Sequence, residues 1–214
     1  MTIAERWAAI QARVARADHA VTVIAVSKTQ PVAALREALA AGATDFGENY
    51  AQELASKRAE VAARWHFIGR LQRNKVKLVA GGVVCIHAVD SVELAEEIAR
   101  RAGGAQSILM PVNLAGEATK GGVTGAGAAE LARRLAAVPG VSLDGLMTMP
   151  PPADDPEASR PYFEGLRALR DRLQDELGRA LPVLSMGMSH DFEVAIACGA
   201  THVRIGTAIF GSRG

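Results

Sequence analysis

Short runs of β-branched and apolar residues alternate along this chain with longer stretches of helical periodicity, and the alternation leaves few folds open. Eight short runs have the length and composition of buried strands: Val21–Ser27, Thr44–Gly47, Trp65–Gly69, Val83–His87, Ser107–Asn113, Val141–Thr148, Val183–Met188 and His202–Gly206. Helical patterns follow the first seven, beginning near Pro31, Tyr50, Gln72, Ser91, Thr124, Pro156 and His190. Strands that alternate with helices indicate successive βαβ units and a parallel sheet.

The count of eight strands predicts a closed (β/α)8 TIM-like barrel, in a single α/β domain that occupies residues 1–214. At 214 residues the chain is somewhat shorter than such barrels, which usually run to about 250 residues. An open doubly wound sheet is the alternative fold. The barrel is favoured because no Rossmann glycine fingerprint follows the first strand.

The segment before the first strand predicts a leading helix over residues 1–18. Its apolar residues recur at helical spacing, at Ile3, Trp7, Ile10 and Val14. Only residues 207–214 follow the eighth strand, too few for another full helix. We therefore expect the leading helix to pack on the flank of a barrel built from residues 21–210, where an eighth helix would lie.

Local signals support two of the helix starts. Pro31 presets the backbone of a first helical turn. Asp90, followed three residues later by Glu93, resembles a capping box and predicts that the helix near Ser91 is capped by the aspartate.

Charge and composition disfavour several classes of partner. The formal net charge is +1 and aromatic residues make up 4%, so neither a global field nor stacking platforms favour nucleic acid. No run of about 18 apolar residues suggests a membrane span, and the N-terminus does not resemble a signal peptide. We expect a cytoplasmic monomer in which Cys85 and Cys198, which form no CxxC pair, are reduced thiols.

Lys28 is the strongest single candidate for chemistry. In a parallel barrel the site lies at the carboxyl ends of the strands, and Lys28 directly follows the apolar run VTVIAVS. A lysine that is partly desolvated there has a lowered pKa, and its free amine can form an imine. A surface lysine on the first βα loop is the alternative reading.

Two segments after the last strands could form a cup for a phosphate group. Gly187, Ser189, Gly206 and Thr207 place backbone N–H groups and hydroxyls just beyond neighbouring strands. Barrel proteins commonly bind phosphate at the loops after the last two strands, and the helix beginning near His190 would add its dipole. The same glycines could instead serve only tight turns.

Arg204 lies inside a strand that is otherwise apolar. Because side chains alternate along a strand, Arg204 and Gly206 share a face, which we expect to be the barrel interior. A buried guanidinium needs a partner. The ring nitrogen of a bound heterocycle would supply one, and a neighbouring carboxylate is the alternative.

The motifs carry a family resemblance that runs nearly end to end. They read AVSKTQP, FGENYAQE, WHFIGRLQRNK, GLMTMPP, LSMGMSHDFEVAIACGAT and VRIGTAIFG. In this order and spacing they resemble the pyridoxal phosphate homeostasis proteins, also called the YggS or PROSC family. The resemblance implies a fold type III barrel similar to the N-terminal domain of alanine racemase, with pyridoxal 5′-phosphate (PLP) as cofactor.

The resemblance also implies roles for particular residues. Lys28 would hold PLP as an internal aldimine, and Arg204 would face the pyridine nitrogen. The other residues around the ring or phosphate would be Asn49, Met147, Ser185, Gly187, Met188, Ser189, Gly206 and Thr207. The chain departs from the family pattern at Arg70 and Arg73 and at the pair His190–Asp191.

The residues favour cofactor management over turnover. Arginine opposite the pyridine nitrogen keeps that nitrogen unprotonated and weakens PLP as an electron sink. Alanine racemases compensate with a second-face tyrosine, and neither Tyr50 nor Tyr162 is an obvious equivalent here. We therefore expect a PLP-binding protein that could deliver PLP to apo-enzymes. A weak fold type III racemase or lyase is the alternative, and a lysine-imine aldolase is a third.

Other polar clusters have simpler readings. The histidines His66, His87, His190 and His202 fall on different elements without metal-ligand spacing, so no metal site is expected. Cys85 and His87 could pair on one strand face but are better explained by packing. The basic cluster could attract anions or form a solvated helix face; it comprises Arg70, Arg73, Lys75 and Lys77.

Overall fold

Eight parallel strands close into a barrel in the computed structural model, which describes residues 1–116, 122–123 and 125–211. The strands are β1 Thr22–Val26, β2 Asp45–Glu48, β3 Arg64–Phe67, β4 Cys85–Ile86, β5 Gln106–Pro111, β6 Val141–Met147, β7 Val183–Met188 and β8 His202–Ile205. Each pairs with the next, and β8 pairs with β1 to complete the ring. The predicted TIM-like barrel is confirmed, and the open sheet is excluded.

Helices surround the barrel in the expected alternation. They are α1 Ile3–Val14, α2 Val32–Ala40, α3 Ala51–Glu60, α4 Val92–Ala102, α5 Gly125–Ala136, α6 Arg160–Leu177, α7 Phe192–Ala197 and α8 Thr207–Phe210. A short 3-10 turn, Pro156–Ser159, precedes α6. The start predicted near Thr124 lies outside the described residues.

Two local predictions were wrong. The stretch near Gln72 is not an ordinary helix but a 3-10 segment, Arg73–Leu78, in which Val76 is the buried side chain. A short segment with so little buried surface gains little from the packing that normally stabilises an α-helix. The cap of α4 is Ser91 and not Asp90, because the extended backbone of Ser91 lets its hydroxyl accept the N–H of Leu94 at 3.3 Å.

Helix α1 covers the flank left open by the short α8. It packs against α2, α7 and α8, as expected, and it buries Trp7, Ile10 and Val14 against the main core. The amino end of α1 has a capping box, in which Thr2 and Glu5 satisfy each other's backbone N–H groups. This helix therefore does the packing that an eighth full-length outer helix would otherwise do.

The barrel interior is unusually polar, and this positions the site. The main core lies between the strands and the outer helices, whereas only a small apolar cluster, Cys85 with Leu109 and Met147, is separate from it. Five of the buried polar residues come from β2, β3, β7, β8 and the end of β4 and bond to one another inside the barrel; they are Asp45, His66, His87, Ser185 and Arg204. Barrel interiors are usually filled by branched apolar side chains.

Cys85 and Cys198 are free and buried. Burial raises the pKa of the Cys85 thiol to about 12, despite the hydrogen bond from Ser107, so this thiol is unreactive at neutral pH and serves in packing.

Within the described part of the chain, no helix is both long and apolar enough to cross a bilayer.

We expect Trp7→Ala to lower the free energy of unfolding by about 3–5 kcal/mol, because the change leaves a cavity between α1 and its neighbours. Urea denaturation would measure this loss. The exposed Ala9 on the same helix supplies the control, since Ala9→Ser should change stability by no more than about 0.5 kcal/mol. Equal losses from both variants would show that α1 is not integral to the barrel.

Candidate functional site

The carboxyl ends of the strands bring most of the predicted site residues to one end of the barrel. Lys28 lies half-buried in the turn after β1. Strand β8 pairs with β1 through Ile24 and Arg204, and it pairs with β7 through Met188 and Arg204. Lys28 and the residues after β7 and β8 therefore share one rim, as the parallel topology requires.

The turn that carries Lys28 has a constrained backbone. Thr29 has a φ of 64°, a left-handed conformation that non-glycine residues seldom adopt. The N–H of Thr29 donates to the Glu53 carboxylate at 2.6 Å, and its hydroxyl donates to the Lys28 carbonyl at 2.6 Å. These bonds hold the turn in its unusual shape.

A buried ion cluster stabilises the same turn. The Lys57 ammonium is 2.7 Å from the Glu48 carboxylate and 2.6 Å from that of Glu53, and it also donates to the Ser27 carbonyl at 2.6 Å. The Ser27 hydroxyl donates to Glu48 at 2.7 Å. The three-residue cluster of Glu48, Glu53 and Lys57, which we call the lysine clamp, thus contacts the backbone on both sides of Lys28.

The lysine clamp was not predicted from the sequence. Glu53 and Lys57 have the spacing of an ordinary surface ion pair, but the Lys57 side chain is only 6% exposed and that of Glu48 is fully buried. Burial raises the pKa of Glu48, and the hydrogen bonds from Lys57 and Ser27 oppose the rise. The one available signal was a glutamate at the end of a strand that is buried at every position.

Arg204 is buried in the barrel, on the inner face of β8. It donates from Nη1 to the Ser185 hydroxyl at 2.6 Å and from Nη2 to the Thr148 carbonyl at 2.9 Å. These two partners are neutral oxygens, whereas the sequence suggested a carboxylate or a ligand nitrogen. Burial lowers the pKa of Arg204 to about 10, with Asp191 opposing the shift, so the guanidinium stays protonated at neutral pH.

The loop after β7 is tied to the start of α8 by one hydroxyl. The backbone N–H groups of Gly206 and Ala208 both donate to the Ser189 Oγ, at 3.2 and 3.3 Å. We call these two groups the amide pair. A phosphate oxygen accepts hydrogen bonds from the same kind of donor, so the amide pair has the chemistry that an anion site requires.

Gly187 and Met188 shape the backbone of this loop. Gly187 has a φ of 89°, and a Cβ there would lie 2.5 Å from the Cβ of Ala195, so only glycine fits the approach to α7. The N–H of Met188 donates to the Asp191 carboxylate at 2.7 Å, and Asp191 also accepts from the Ser159 hydroxyl. Asp191 therefore orders the loop, and the Met188 side chain is exposed.

The remaining predicted residues lie at the same rim or just below it. Asn49 follows β2 half-buried, and its Oδ1 is buried without a hydrogen-bond partner among the described residues. Met147 ends β6 inside the barrel, and Thr207 is exposed at the start of α8. Ser185 is fully buried, where it contacts Arg204.

A cavity of about 980 Å³ opens over the ends of β2, β3 and β4. Its lining includes Asn49 and Tyr50, and three members of the basic cluster, Arg70, Arg73 and Lys75, also line it. Lys77, the fourth, is exposed outside the lining. Three residues of the basic cluster therefore border an opening beside the rim, and Arg70, Arg73 and Lys77 are exposed to solvent.

Three of the four histidines that looked scattered in sequence lie together. The ring centres of His66, His87 and His202 are 5.2 to 6.3 Å apart inside the barrel, whereas His190 is on the exterior. His87 does not pair with Cys85 but contacts His66 and Ser185. In residues 1–116, 122–123 and 125–211, no group of three or more His, Cys, Asp and Glu side chains could hold a metal ion.

Comparison with known proteins agrees with this geometry. The model for the family described as "Alanine racemase, N-terminal domain" matches residues 2–214. A protein of Aquifex aeolicus named "Pyridoxal phosphate homeostasis protein" is 49% identical, over 94% of this chain and 91% of its own length. The Pseudomonas aeruginosa protein of the same name is 44% identical, over 99% and 96%. The chain belongs to the pyridoxal phosphate homeostasis protein family.

Solved structures extend the comparison. PipY of Synechococcus elongatus is 36% identical to this homeostasis-family chain, and the match covers 98% of this chain and 100% of PipY. The TM-score is 0.90 for the PipY structure without PLP and 0.88 for the structure with PLP bound. Alanine racemase of Corynebacterium glutamicum is 18% identical with a TM-score of 0.79, over 99% of this chain and 61% of the racemase, and shows the shared fold alone.

We expect Lys57→Met to lower the free energy of unfolding by about 3–5 kcal/mol, because it leaves the buried Glu48 carboxylate without its cation. Denaturant titration measures the change. The exposed pair Arg36–Glu60 is the matched control, and Arg36→Met should cost less than about 1 kcal/mol. Similar costs for the two variants would contradict a structural role for the lysine clamp.

The buried imidazoles give a second prediction. Burial lowers the pKa of His202 to about 4 and that of His87 well below its usual value. The unfolded chain therefore binds more protons below pH 6.5, and stability is lost as the pH falls from 6.5 towards 4. Because the His202 ring is partly exposed, we expect its share of the loss to be about 2 kcal/mol. His202→Phe should flatten this part of the stability–pH curve; parallel curves would contradict the assignment.

Proposed function

We propose that this chain binds PLP covalently through Lys28 and serves intracellular PLP homeostasis. One observation supports the proposal most strongly. A lysine amine after β1, a buried guanidinium on β8 and the amide pair just after β8 lie at one end of the barrel, where β8 pairs with both β1 and β7. PLP presents an aldehyde, a ring nitrogen and a phosphate, so each group of the cofactor has a counterpart of matching chemistry.

The residues present fit the cofactor. PLP supplies an aldehyde that condenses with a primary amine to an imine and releases one water. Lys28 is the amine, held by the constrained turn and the lysine clamp. The amide pair, now bonded to Ser189, would donate to the phosphate, and the unpartnered Oδ1 of Asn49 is a polar atom available at the rim.

Arg204 favours storage over turnover. The guanidinium donates hydrogen bonds and cannot accept them, so a ring nitrogen beside it stays unprotonated. An unprotonated ring draws less electron density from a bound amino acid, which slows loss of the Cα proton. We infer that the protein keeps a reactive aldehyde bound and hands it to PLP-dependent apo-enzymes in the cytoplasm. Those recipients would approach the rim that the basic cluster borders.

The decisive experiment is an absorbance spectrum of the purified protein with added PLP, before and after borohydride. We expect a visible imine band that borohydride abolishes, with the reduced adduct mapped to Lys28. Lys28→Ala should abolish the band, whereas the control Lys77→Ala, at an exposed lysine, should leave it unchanged. Protein that stays colourless with PLP would contradict the proposal and favour an aldolase.

A second measurement separates a carrier from an enzyme. The loaded protein would be incubated in deuterium oxide with a panel of amino acids, and exchange of the Cα proton would be followed by NMR. We expect no exchange above that of free PLP. Rapid exchange with any amino acid would instead identify a racemase or lyase that uses the same lysine.

A further inference from the structure

A continuous chain of buried hydrogen bonds crosses the barrel interior from Arg204. Arg204 Nη1 is 2.6 Å from Ser185 Oγ, which is 2.9 Å from His87 Nδ1. His87 Nε2 is 3.1 Å from His66 Nδ1, and His66 Nε2 is 2.9 Å from Asp45 Oδ1. The five residues come from β8, β7, the end of β4, β3 and β2, and none is more than 6% exposed.

The residues at the two ends of this hydrogen-bond series, Arg204 and Asp45, can each act only as a donor or only as an acceptor. The Arg204 guanidinium has donors and no acceptor, so Ser185 Oγ must accept from it. Burial would raise the pKa of Asp45, but hydrogen bonds from His66, Arg64 and Thr44 outweigh it and lower the pKa to about 2. Asp45 is therefore a carboxylate at neutral pH, and it must accept from His66 Nε2.

When both imidazoles are neutral, the two ends of the series determine the direction of the hydrogen bonds between them. His66 carries its proton on Nε2, so its Nδ1 accepts from His87 Nε2. His87 then has an accepting Nδ1, to which the Ser185 hydroxyl donates. Every bond is satisfied in one direction, from Arg204 to Asp45, and any other arrangement of neutral tautomers leaves two donors or two acceptors facing each other.

The surroundings of His87 favour a neutral ring. Burial is the main cause of the lowered pKa of His87, and His66, Arg204 and His202 add to it. Arg64 donates to the same Asp45 oxygen that accepts from His66, at 2.9 Å. Asp45 is thus already paired with a cation and does not require a second positive charge on His66.

We propose that Asp45, His66, His87 and Ser185 form a positioning relay that orients Arg204 for the ring nitrogen of PLP, with both imidazoles held in the Nε2–H tautomer. This proposal rests on the proposed function. The relay fixes the Ser185 hydroxyl so that a lone pair, and not the proton, faces Arg204. With the Thr148 carbonyl on Nη2, this bond sets the plane of the guanidinium. Asp45, at the far end, thereby influences the cofactor without touching it.

If these side chains served only to pack the barrel interior, no continuous series of hydrogen bonds would be needed. Well-packed apolar side chains of similar volume usually stabilise a barrel interior at least as well as buried ionic and polar groups. His202 packs against the rings of His66 and His87 but bonds instead to its neighbour Thr201, at 3.0 Å. His202 therefore shares the environment of the relay without sharing its hydrogen bonds, and it serves as the matched control.

The tautomers can be tested in the unmodified protein by long-range proton–nitrogen NMR of histidine labelled with nitrogen-15. We expect His66 and His87 each to show one protonated nitrogen, Nε2, at neutral pH. Asp45→Asn gives the relay an end that can donate or accept, so both residues should then show mixed tautomers. Asp18→Asn is the control, because Asp18 bonds to the half-buried ring of His19, which is outside the relay. A proton on Nδ1 of either residue in the wild type would overturn the proposal.

The link to the cofactor needs a second readout. We expect Ser185→Ala and His87→Phe each to weaken PLP binding about tenfold and to shift the imine absorption maximum, because Arg204 loses its fixed acceptor. His202→Phe should change neither quantity. Unaltered binding and absorption in Ser185→Ala and His87→Phe, or equal changes in His202→Phe, would overturn the relay. A wild-type protein that forms no imine would refute the proposed function instead, and the tautomer measurement would still judge the relay by itself.

Discussion

The guanidinium of Arg204, buried inside a closed barrel, determines much of what surrounds it. A charge removed from water must be compensated by hydrogen bonds, and the two oxygens that supply them come from β7 and from the residue after β6. Ser185 in turn needs an acceptor, which His87 provides, and His87 needs His66. One buried cation thus explains why the interior is polar where most barrels are filled with branched apolar residues.

Lys28 depends on a different buried cation. Lys57 neutralises two carboxylates and binds the Ser27 carbonyl, so the backbone around Lys28 is held although the Lys28 side chain reaches the rim. The unusual φ of Thr29 persists because Glu53 accepts its N–H. Lys28 and Arg204 are therefore positioned by separate polar networks, one around the turn after β1 and one inside the barrel.

The fold was largely predictable from sequence, because stretches with the apolar pattern of strands alternate clearly with stretches of helical periodicity. Successive βαβ units also have the same right-handed crossover. The strand Val183–Met188 was located at its observed bounds, while β4 is only two residues long, since pairing with β3 and β5 extends no further. Lys28 and Arg204 stood out because each interrupts or ends an apolar strand.

The lysine clamp and the relay could not be found in this way. Glu53 and Lys57 look like a surface pair, and Ser185 is 98 positions from the histidine that it contacts.

The bond pattern of Ser189 has a thermodynamic consequence for exchange of the ligand. With its hydroxyl on the N–H groups of Gly206 and Ala208, Ser189 supplies an acceptor to both donors of the amide pair. A phosphate bound there would replace one acceptor with another, so its departure would leave neither of these two N–H groups without a partner. Under the proposed function, release of the ligand would therefore not leave these two donors unpaired.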